Sequence, residues 1–250
     1  MSKFGLIGKN IGYSFSKTFF SEKFEKKNLP HSYQNFDIPT IDLLPKLISE
    51  TPNLKGLNVT IPYKEEVIHF LDSTDDEAKK IGAVNTIKIS DLSANSAENK
   101  QLKGYNTDHF GFQKSLETLL PLQQKTALIL GTGGASKAVA YALEKLDFKF
   151  KFVSRTESPN RLNYSSLTKS VIENHLLIVN CTPVGTFPNI ADCPPIPYQF
   201  LTEKHLLFDL IYNPAESEFL KRGKLQGAKT SNGLRMLELQ AEKAWEIWNS

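Results

Sequence analysis

Short apolar segments alternate with amphipathic segments along nearly the whole chain of 250 residues. The apolar segments have the length of buried strands, and the segments between them carry apolar residues at helical spacing. Strands that alternate with helices form parallel sheets covered by helices on both faces, so the pattern predicts an α/β fold. The predicted strands are 4–8, 33–38, 57–61, 86–89, 101–105, 126–130, 151–154, 176–180 and 206–211. The predicted helices are 17–27, 41–49, 63–71, 110–120, 136–146, 217–226 and a terminal helix after residue 233.

A glycine-rich turn joins the predicted strand 126–130 to the helix that follows it. Gly131 and Gly133 fill the first two glycine positions of a G-x-G-x-x-G pattern, and the small residue Ser136 replaces the third. In this context Gly131 permits a tight turn, Gly133 lets the backbone approach a pyrophosphate, and the helix N-terminus offers N–H groups to it. The turn therefore predicts a dinucleotide site, although a βα turn without a ligand has the same composition.

The end of the next strand predicts which dinucleotide binds. An NAD enzyme carries an acidic residue there for the ribose hydroxyls, but this chain has Ser154, Arg155 and Thr156. An arginine flanked by hydroxyls suits a 2′-phosphate, so the sequence predicts NADP rather than NAD. Glu157 would repel that phosphate and moderate the preference.

The segment 58–64 predicts a second polar site. Its alternation of apolar and polar residues indicates a strand, so Asn58 and Thr60 share a face. Pro62 ends the strand and favours the first turn of a helix, which places Lys64 near a helix N-terminus. That electropositive position would make the ammonium proton easier to lose. An exposed strand end with a solvated lysine is an equally good reading of this segment alone.

Other polar residues lie at the ends of predicted elements. Ser14 and Ser16 precede or begin a helix, where capping is the commoner use of serine. Asn85 begins a strand, and Asp108 stands where a helix cap is also expected. Gln240 lies among apolar residues of the terminal helix, which suggests that it faces a polar cleft.

Composition excludes several classes of protein. A net charge of +3 with scattered lysines does not predict a nucleic-acid groove. No apolar run approaches the length of a membrane span, and the N-terminus lacks the apolar core of a signal peptide. With two cysteines, a reduced, cytoplasmic protein is expected. The five histidines are isolated and no Cys/His spacing suits a metal, so no metal site is predicted.

Two seams predict the domain organisation. A strand ends and a helix begins near residues 104–108, and a second seam at 230–233 precedes the terminal helix. We expect a first domain of residues 1–107 completed by the helix 233–250, and a second domain of residues 108–232. The cleft between two such domains is the default ligand site. The polar segment 91–100 is predicted to be a hairpin tip that keeps strands 86–89 and 101–105 adjacent.

Eight motifs, taken in order, resemble those of the shikimate dehydrogenase family and cover nearly the whole chain. They are Ser-x-Ser at 14–16, and the segments 58–64, 82–86, 106–108, 131–136, 180–185, 209–214 and 232–237 with 240–241. The resemblance implies a Rossmann-like NADP domain and the reversible reduction of 3-dehydroshikimate to shikimate, within aromatic amino-acid biosynthesis. It implies a monomer or homodimer that binds small molecules.

The resemblance also implies roles for individual residues. Lys64 and Asp108 would form the catalytic pair, and Ser14 and Ser16 would hold the substrate carboxylate. The other substrate residues would be Asn58, Thr60, Asn85, Tyr212 and Gln240. The NADP residues would be Gly131, Thr132, Gly133, Gly134, Ala135, Ser136, Ser154, Arg155, Thr156, Leu210, Gly233 and Met236, and Asp76 matches a position sometimes assigned to the cofactor.

The chain departs from the family pattern at three places. His109 and Phe110 follow the aspartate where a glycine is common, and Arg235 replaces a glycine expected near the nicotinamide. Residues 157–159 lack a second arginine that many NADP-selective members carry. The last two departures bear on cofactor selectivity more than on the reaction.

Two other functions fit parts of the same sequence. A quinate or dual quinate/shikimate dehydrogenase would need small changes near Ser14 and Thr60, and Arg155 argues weakly against an NAD-dependent form of it. A non-catalytic NADP-binding sensor would share the fold, but the presence of both Lys64 and Asp108 favours an enzyme.

Overall fold

The computed structural model describes residues 1–12, 14–91, 100–156 and 158–250, and these form two compact units. The first unit contains residues 1–107 and 240–250, and the second contains residues 108–239. The division predicted from the sequence differs at the terminal helix, whose first six residues group with the second unit. The predicted hairpin tip and Glu157 lie outside the described residues.

The first unit is built on a mixed sheet. Its described strands are β1 (Lys3–Gly8), β2 (Ser32–Asp37), β3 (Leu54–Val59), β4 (Ser73–Thr74), β5 (Thr86–Asp91) and β6 (Lys100–Tyr105). They lie in the order β2-β1-β3-β5-β6-β4. Strands β1, β2 and β3 are parallel, and so are β4 and β6, whereas β5 runs antiparallel to both β3 and β6. Three of the five described pairings are therefore parallel as predicted, the two made by β5 are antiparallel, and the predicted pairing of β5 with β6 is confirmed.

Helices cover this sheet and supply two apolar cores. They are α1 (Phe15–Lys26), α2 (Leu44–Glu50), α3 (Asp76–Ile81) and the last turns of the terminal helix. One core joins α2 to the sheet through residues such as Leu44, Leu57 and Ile87. The other packs aromatic residues of α1 against Phe4 and Trp248. The indole of Trp248 donates to the carbonyl of Ile87 at 3.0 Å, which fixes the C-terminal turns on the sheet.

The second unit contains a parallel sheet. Its described strands are β7 (Thr126–Leu130), β8 (Lys149–Ser154), β9 (Arg161–Asn163), β10 (Leu177–Asn180), β11 (Leu206–Asp209) and β12 (Lys229–Ser231). Their order is β12-β11-β10-β7-β8-β9, and every pairing among them is parallel. Strands β8 and β9 follow β7 on one side, and β10, β11 and β12 are added on the other side, so the strand order reverses between β7 and β10.

The described part of the second unit also contains α-helices. They are α4 (Asp108–Glu117), α5 (Gly134–Lys145), α6 (Lys169–Glu173), α7 (Glu218–Leu225) and the first part of α8 (Leu234–Trp248), and short 3₁₀ helices span Tyr164–Ser166 and Tyr198–Phe200. Apolar clusters lie on both faces of the sheet, as the nearly continuous apolar sequence of its strands requires. The predicted α/β fold is confirmed.

The predicted helix over residues 63–71 is wrong. The chain makes turns from Pro62 to Glu65 and then a short 3₁₀ helix, Glu66–Phe70. In an α-helix the carbonyl of Lys64 would accept from the N–H of Ile68. Here it accepts from the N–H of Val84 at 2.7 Å, and Ile68 pairs with Glu65 instead. A tertiary hydrogen bond has replaced the helical one.

Three short strands and two short helices were not predicted: β4, β9, β12, α3 and α6. Each spans six residues or fewer, which is too short for an apolar period to be recognised. Among the described residues, no helix is both long enough and apolar enough to cross a bilayer.

Candidate functional site

In the second unit, the glycine turn lies at the point where the strand order reverses. In open parallel sheets, ligands bind outside the carboxyl ends of the strands at this point. Gly131 follows β7 with a φ of 102°, a value that side chains strongly disfavour. Its N–H donates to the carbonyl of Val153, and the N–H of Cys181 donates to the carbonyl of Leu130. The turn is therefore fixed to the strands on either side of it.

The residues of this turn fit a dinucleotide phosphate. Gly133 is the N-cap of the twelve-residue helix α5 and makes no side-chain capping bond. A Cβ atom at Gly133 would meet nothing within 4 Å, so the backbone is open to an approaching ligand. The first turn of α5 carries no acidic residue that would repel an anion. Thr132 precedes Gly133, and Gly134 and Ala135 follow it; all three are partly buried. Ser136 is buried and donates to the carbonyl of Gly133 at 2.7 Å.

The end of β8 lies beside the turn. Ser154 is half-buried and donates to the carbonyl of Thr156, which shapes the chain after the strand. Arg155 and Thr156 are exposed. Since β8 is the strand next to β7, the arginine is on the side of the turn where a ribose phosphate is expected.

A buried carboxylate joins the loops at the carboxyl ends of β10 and β11. Asp209 Oδ1 accepts from Asn180 Nδ2 and from the N–H of Ile211, both at 3.0 Å, and Oδ2 accepts from Ser217. Burial raises the pKa of Asp209 to about 6, and its three hydrogen bonds oppose that rise. Asn180 in turn accepts from Thr182. The carboxylate thus holds the start of the loop that carries Leu210 and Tyr212.

The remaining predicted cofactor residues of the second unit lie near that loop. The N–H of Gly233 donates to the carbonyl of Ile211 at 3.1 Å. A Cβ atom at Gly233 would lie 2.1 Å from the carbonyl oxygen of Leu210, so no side chain fits there. Met236 is buried in the apolar cluster under β10 and β11, and Leu210 packs on the edge of the same cluster.

In the first unit, a network of buried hydrogen bonds links residues in or next to β2, β3, β5 and β6 to the terminal helix. Its members are polar side chains that are each no more than 6% exposed: Tyr33, Asn58, Thr86, Asn85, Thr107 and Gln240. Thr86 donates to Asn85 Oδ1 at 3.1 Å, and Asn85 Nδ2 donates to Thr107 Oγ1 at 3.0 Å and to Gln240 Oε1 at 3.3 Å. Buried polar groups need such partners, because each one left unpaired costs about 1–3 kcal/mol.

At the end away from Gln240, this network includes Tyr33, which lies near helix α1. Tyr33 donates to Asn58 Oδ1 at 2.8 Å, and Asn58 Nδ2 donates to Thr86 Oγ1 at 3.3 Å. Burial raises the pKa of Tyr33 well above its usual range, and the neighbouring Ser16 side chain opposes that rise. The structure therefore joins Asn58, Asn85 and Gln240, three of the predicted substrate residues, in one hydrogen-bonded network.

Ser14 and Thr60 are placed differently. Ser14 is the N-cap of α1, and its Oγ accepts from the N–H of Lys17 at 3.3 Å. The capping role that the sequence left open is therefore present. Thr60 follows β3 and continues its pairing, since its N–H donates to the carbonyl of Ile7 at 2.9 Å.

Lys64 lies in the turns before the 3₁₀ helix and is partly buried. The argument that a helix dipole acts on its ammonium does not apply, because no α-helix begins there. Asp108 is the first residue of α4 and is buried. Asp76 is exposed in the first turn of α3 and belongs to the first unit, unlike the rest of the predicted cofactor set. Among the described residues, no cluster of acidic, histidine or cysteine side chains suits a metal ion.

Sequence reasoning missed Tyr33, Thr107 and Asp209 as parts of these sites. Tyr33 looked like an ordinary strand residue, and only the parallel pairing of β1 with β2 and β3 shows that it can reach Asn58. Thr107 and Asp209 did stand inside motifs quoted for the family resemblance. The acidic residue at the end of the apolar run 206–208 is a sequence signal for this role.

A search against protein families matched residues 6–87 to the shikimate dehydrogenase substrate binding domain. A curated relative from Methanosphaera stadtmanae, named shikimate dehydrogenase (NADP(+)), is 37% identical over 262 aligned residues. The alignment covers 98% of this chain and 90% of the relative.

Solved structures give the same result for the fold. A shikimate dehydrogenase from Peptoclostridium difficile is 40% identical with a TM-score of 0.85, covering 100% of this chain and 92% of that one. A shikimate 5-dehydrogenase from Thermus thermophilus, solved in complex with NADP(H) and shikimate, is 31% identical with a TM-score of 0.84. That match covers 99% of this chain and 93% of the other.

The pKa of Asp209 predicts how pH affects stability. The folded carboxyl holds its proton up to about pH 6, whereas its ordinary pKa is 3.8. Its contribution to the free energy of unfolding is therefore fully present below pH 4 and is lost as pH rises through 6. Because one pKa unit corresponds to about 1.4 kcal/mol, Asp209→Asn should gain about 3 kcal/mol relative to the parent between pH 4 and pH 7.

Urea unfolding of both proteins across this pH range measures the change. The amide introduced by Asp209→Asn keeps an acceptor for Ile211 and Asn180, and Ser217 can accept from its nitrogen. The control is Asp192→Asn, which removes an exposed carboxylate from the same unit. A stability difference that stays constant with pH for Asp209→Asn would contradict the raised pKa.

Proposed function

Because this chain belongs to the shikimate dehydrogenase family, we propose that it catalyses the reversible reduction of 3-dehydroshikimate to shikimate with NADPH. The observation that carries the proposal is the buried network that joins three predicted substrate residues, Asn58, Asn85 and Gln240, in the first unit. The second unit independently offers an open glycine turn at its switch point, followed by an arginine. The polar network of the first unit suits a polyhydroxylated acid, and the glycine turn with Arg155 suits a dinucleotide phosphate.

In this proposal the first unit supplies most of the substrate contacts. Ser14 and Ser16 bind the carboxylate. The ring hydroxyls meet side chains that can donate or accept: Asn58, Thr60, Asn85 and Gln240. Tyr212, from the second unit, completes the set. The relative from Thermus thermophilus was solved in complex with NADP(H) and shikimate, the two ligands that this proposal assigns to the chain.

NADP would be held by residues of the second unit. The N–H groups at the start of α5 and the backbone of residues 131–136 bind the pyrophosphate, and Arg155 with Ser154 and Thr156 binds the 2′-phosphate. Leu210, Gly233 and Met236 line the nicotinamide end, and Asp76 of the first unit is a further proposed contact. When bound, NADPH supplies the hydride that reduces the ring ketone.

Lys64 is the proposed general acid. Reduction of a ketone leaves an alkoxide oxygen, to which the ammonium of Lys64 donates a proton; in the reverse direction the amine removes it. Asp108 orients Lys64 for this transfer. A positioned acid–base group typically contributes about 10²–10⁴-fold to the rate.

We also infer that the enzyme works in the reducing cytoplasm on small molecules, as a monomer or homodimer. Cys181 and Cys193 are both free thiols in the structure, which agrees with a reducing compartment. The small positive charge could attract anionic ligands without forming a nucleic-acid groove.

The direct test is to follow NADPH absorbance with purified protein. We expect reduction of NADP+ when shikimate is added, and much slower or no reduction with NAD+. Quinate is the necessary comparison, since it differs from shikimate in its ring hydroxyls. Faster turnover of quinate with NAD+ would indicate the quinate enzyme, and binding of NADP+ without turnover of either acid would indicate the sensor.

Lys64→Ala should lower kcat by about 10²–10⁴-fold, because the alkoxide loses its proton donor. The KM for shikimate should change much less. Lys80→Ala removes an exposed lysine from the same unit and controls for the lost charge. Turnover that survives while affinity falls would make Lys64 a binding residue and contradict its catalytic role.

Arg155→Ala should raise the KM for NADP+ by about 10–100-fold, the value of one charge-assisted hydrogen bond. The KM for NAD+ should change little, since NAD+ lacks the 2′-phosphate. Lys149→Ala, at the opposite end of β8, removes an equal charge from the same strand. Equal increases for both cofactors would show that Arg155 does not read the phosphate.

A further inference from the structure

The directions of the hydrogen bonds around Asn58 are fixed by one backbone group. Asn58 Nδ2 lies 3.3 Å from the carbonyl oxygen of Asn85, and a carbonyl can only accept. The amide nitrogen must therefore face Asn85, and Oδ1 must face Tyr33. It follows that the hydroxyl of Tyr33 donates to Asn58 Oδ1. The side chain of Ser16 lies beside the same phenol.

This arrangement decides what Asn58 can offer a ligand. An amide nitrogen has two protons, and here they go to the Asn85 carbonyl and to Thr86 Oγ1. An amide oxygen has two lone pairs, of which Tyr33 uses one. Asn58 therefore meets a ligand hydroxyl as an acceptor.

We propose that Tyr33 is a positioning residue for the substrate, which holds the amide oxygen of Asn58 through a buried phenol. The inference rests on the proposed function, because Asn58 is one of its substrate residues. Tyr33 acts through this side chain and does not touch the reacting atoms.

The surroundings of Tyr33 suit this role. The residue is 5% exposed, and its ring stacks on Phe20 with centroids 4.8 Å apart and an angle of 13° between the planes. Burial raises the pKa of Tyr33, so the phenol keeps the proton that it donates. The ring is fixed by packing while the hydroxyl holds the amide of Asn58, which is the arrangement that precise positioning requires.

The chain contains a matched control for a test of this role. Tyr63 is also buried in the first unit, and its hydroxyl donates to the carbonyl of Ile38 at 2.7 Å. Tyr33→Phe and Tyr63→Phe each remove one hydroxyl and one buried hydrogen bond, so we expect similar losses of stability. Only the first variant removes a bond to Asn58.

Steady-state kinetics with shikimate and NADP+ separate the two effects. We expect Tyr33→Phe to raise the KM for shikimate about tenfold, the order of one hydrogen bond, with little change in kcat or in the KM for NADP+. Tyr63→Phe should leave all three constants near those of the parent. The increase in melting temperature caused by shikimate should also be smaller for Tyr33→Phe, and this measurement needs no turnover.

The outcomes distinguish the inference from the function on which it rests. If the parent oxidises shikimate and both variants keep its KM, Tyr33 has a structural role only. If the parent neither binds nor oxidises shikimate, the proposed function fails and the inference with it. Should Tyr33→Phe not fold, the parent gives a second measurement by NMR: the hydroxyl proton of Tyr33, which is shared with Asn58, should exchange slowly and shift on addition of shikimate. Rapid exchange without a shift would overturn the inference.

Discussion

The continuous chain of hydrogen bonds inside the first unit is the constraint on which its site depends. Its six polar side chains are nearly inaccessible to water, so each must find its partner within the protein. The partners come from β2, β3, β5, the segment after β6 and the terminal helix, which brings Gln240 into the network from the far end of the sequence. If one of these side chains moves, its partner loses a hydrogen bond. The positions of the side chains are therefore fixed by the cost of an unpaired buried group, about 1–3 kcal/mol.

The second unit achieves precision by other means. Its glycine turn uses main-chain groups, which need no rotamer to be fixed, and the adjoining strands hold the turn in place through Gly131 and Cys181. A single buried carboxylate, Asp209, does for the neighbouring loops what six neutral groups do in the first unit. Burial of that charge destabilises the ionised form, yet three donors keep the loop ends together. Burying the Asp209 carboxylate is unfavourable, but it binds donors from three separate points, Asn180, Ile211 and Ser217.

The sequence predicted the features that depend on local pattern. Apolar period and the strand–turn–helix context were enough for the α/β fold and the glycine turn, and the fold prediction is confirmed. Prediction failed where a distant group decided the local structure. Nothing in residues 62–71 indicates that the N–H of Val84 will take the carbonyl of Lys64 and prevent a helix. Likewise the parallel pairings of β1, which place Tyr33 near Asn58, exist only in the assembled sheet.

The two serines at the start of α1 are chemically different, although the sequence presents them as a pair. Ser14 Oγ accepts from the N–H of Lys17, and this cap leaves its proton available to an anion. Ser16 lies in the first turn of the helix, beside the phenol of Tyr33. A carboxylate bound as proposed would take the protons of both hydroxyls, since hydrogen bonds to charged acceptors are about twice as strong as those between neutral groups. The network around Asn58 does not depend on these two protons, because its amide is held by the Asn85 carbonyl, Thr86 and Tyr33.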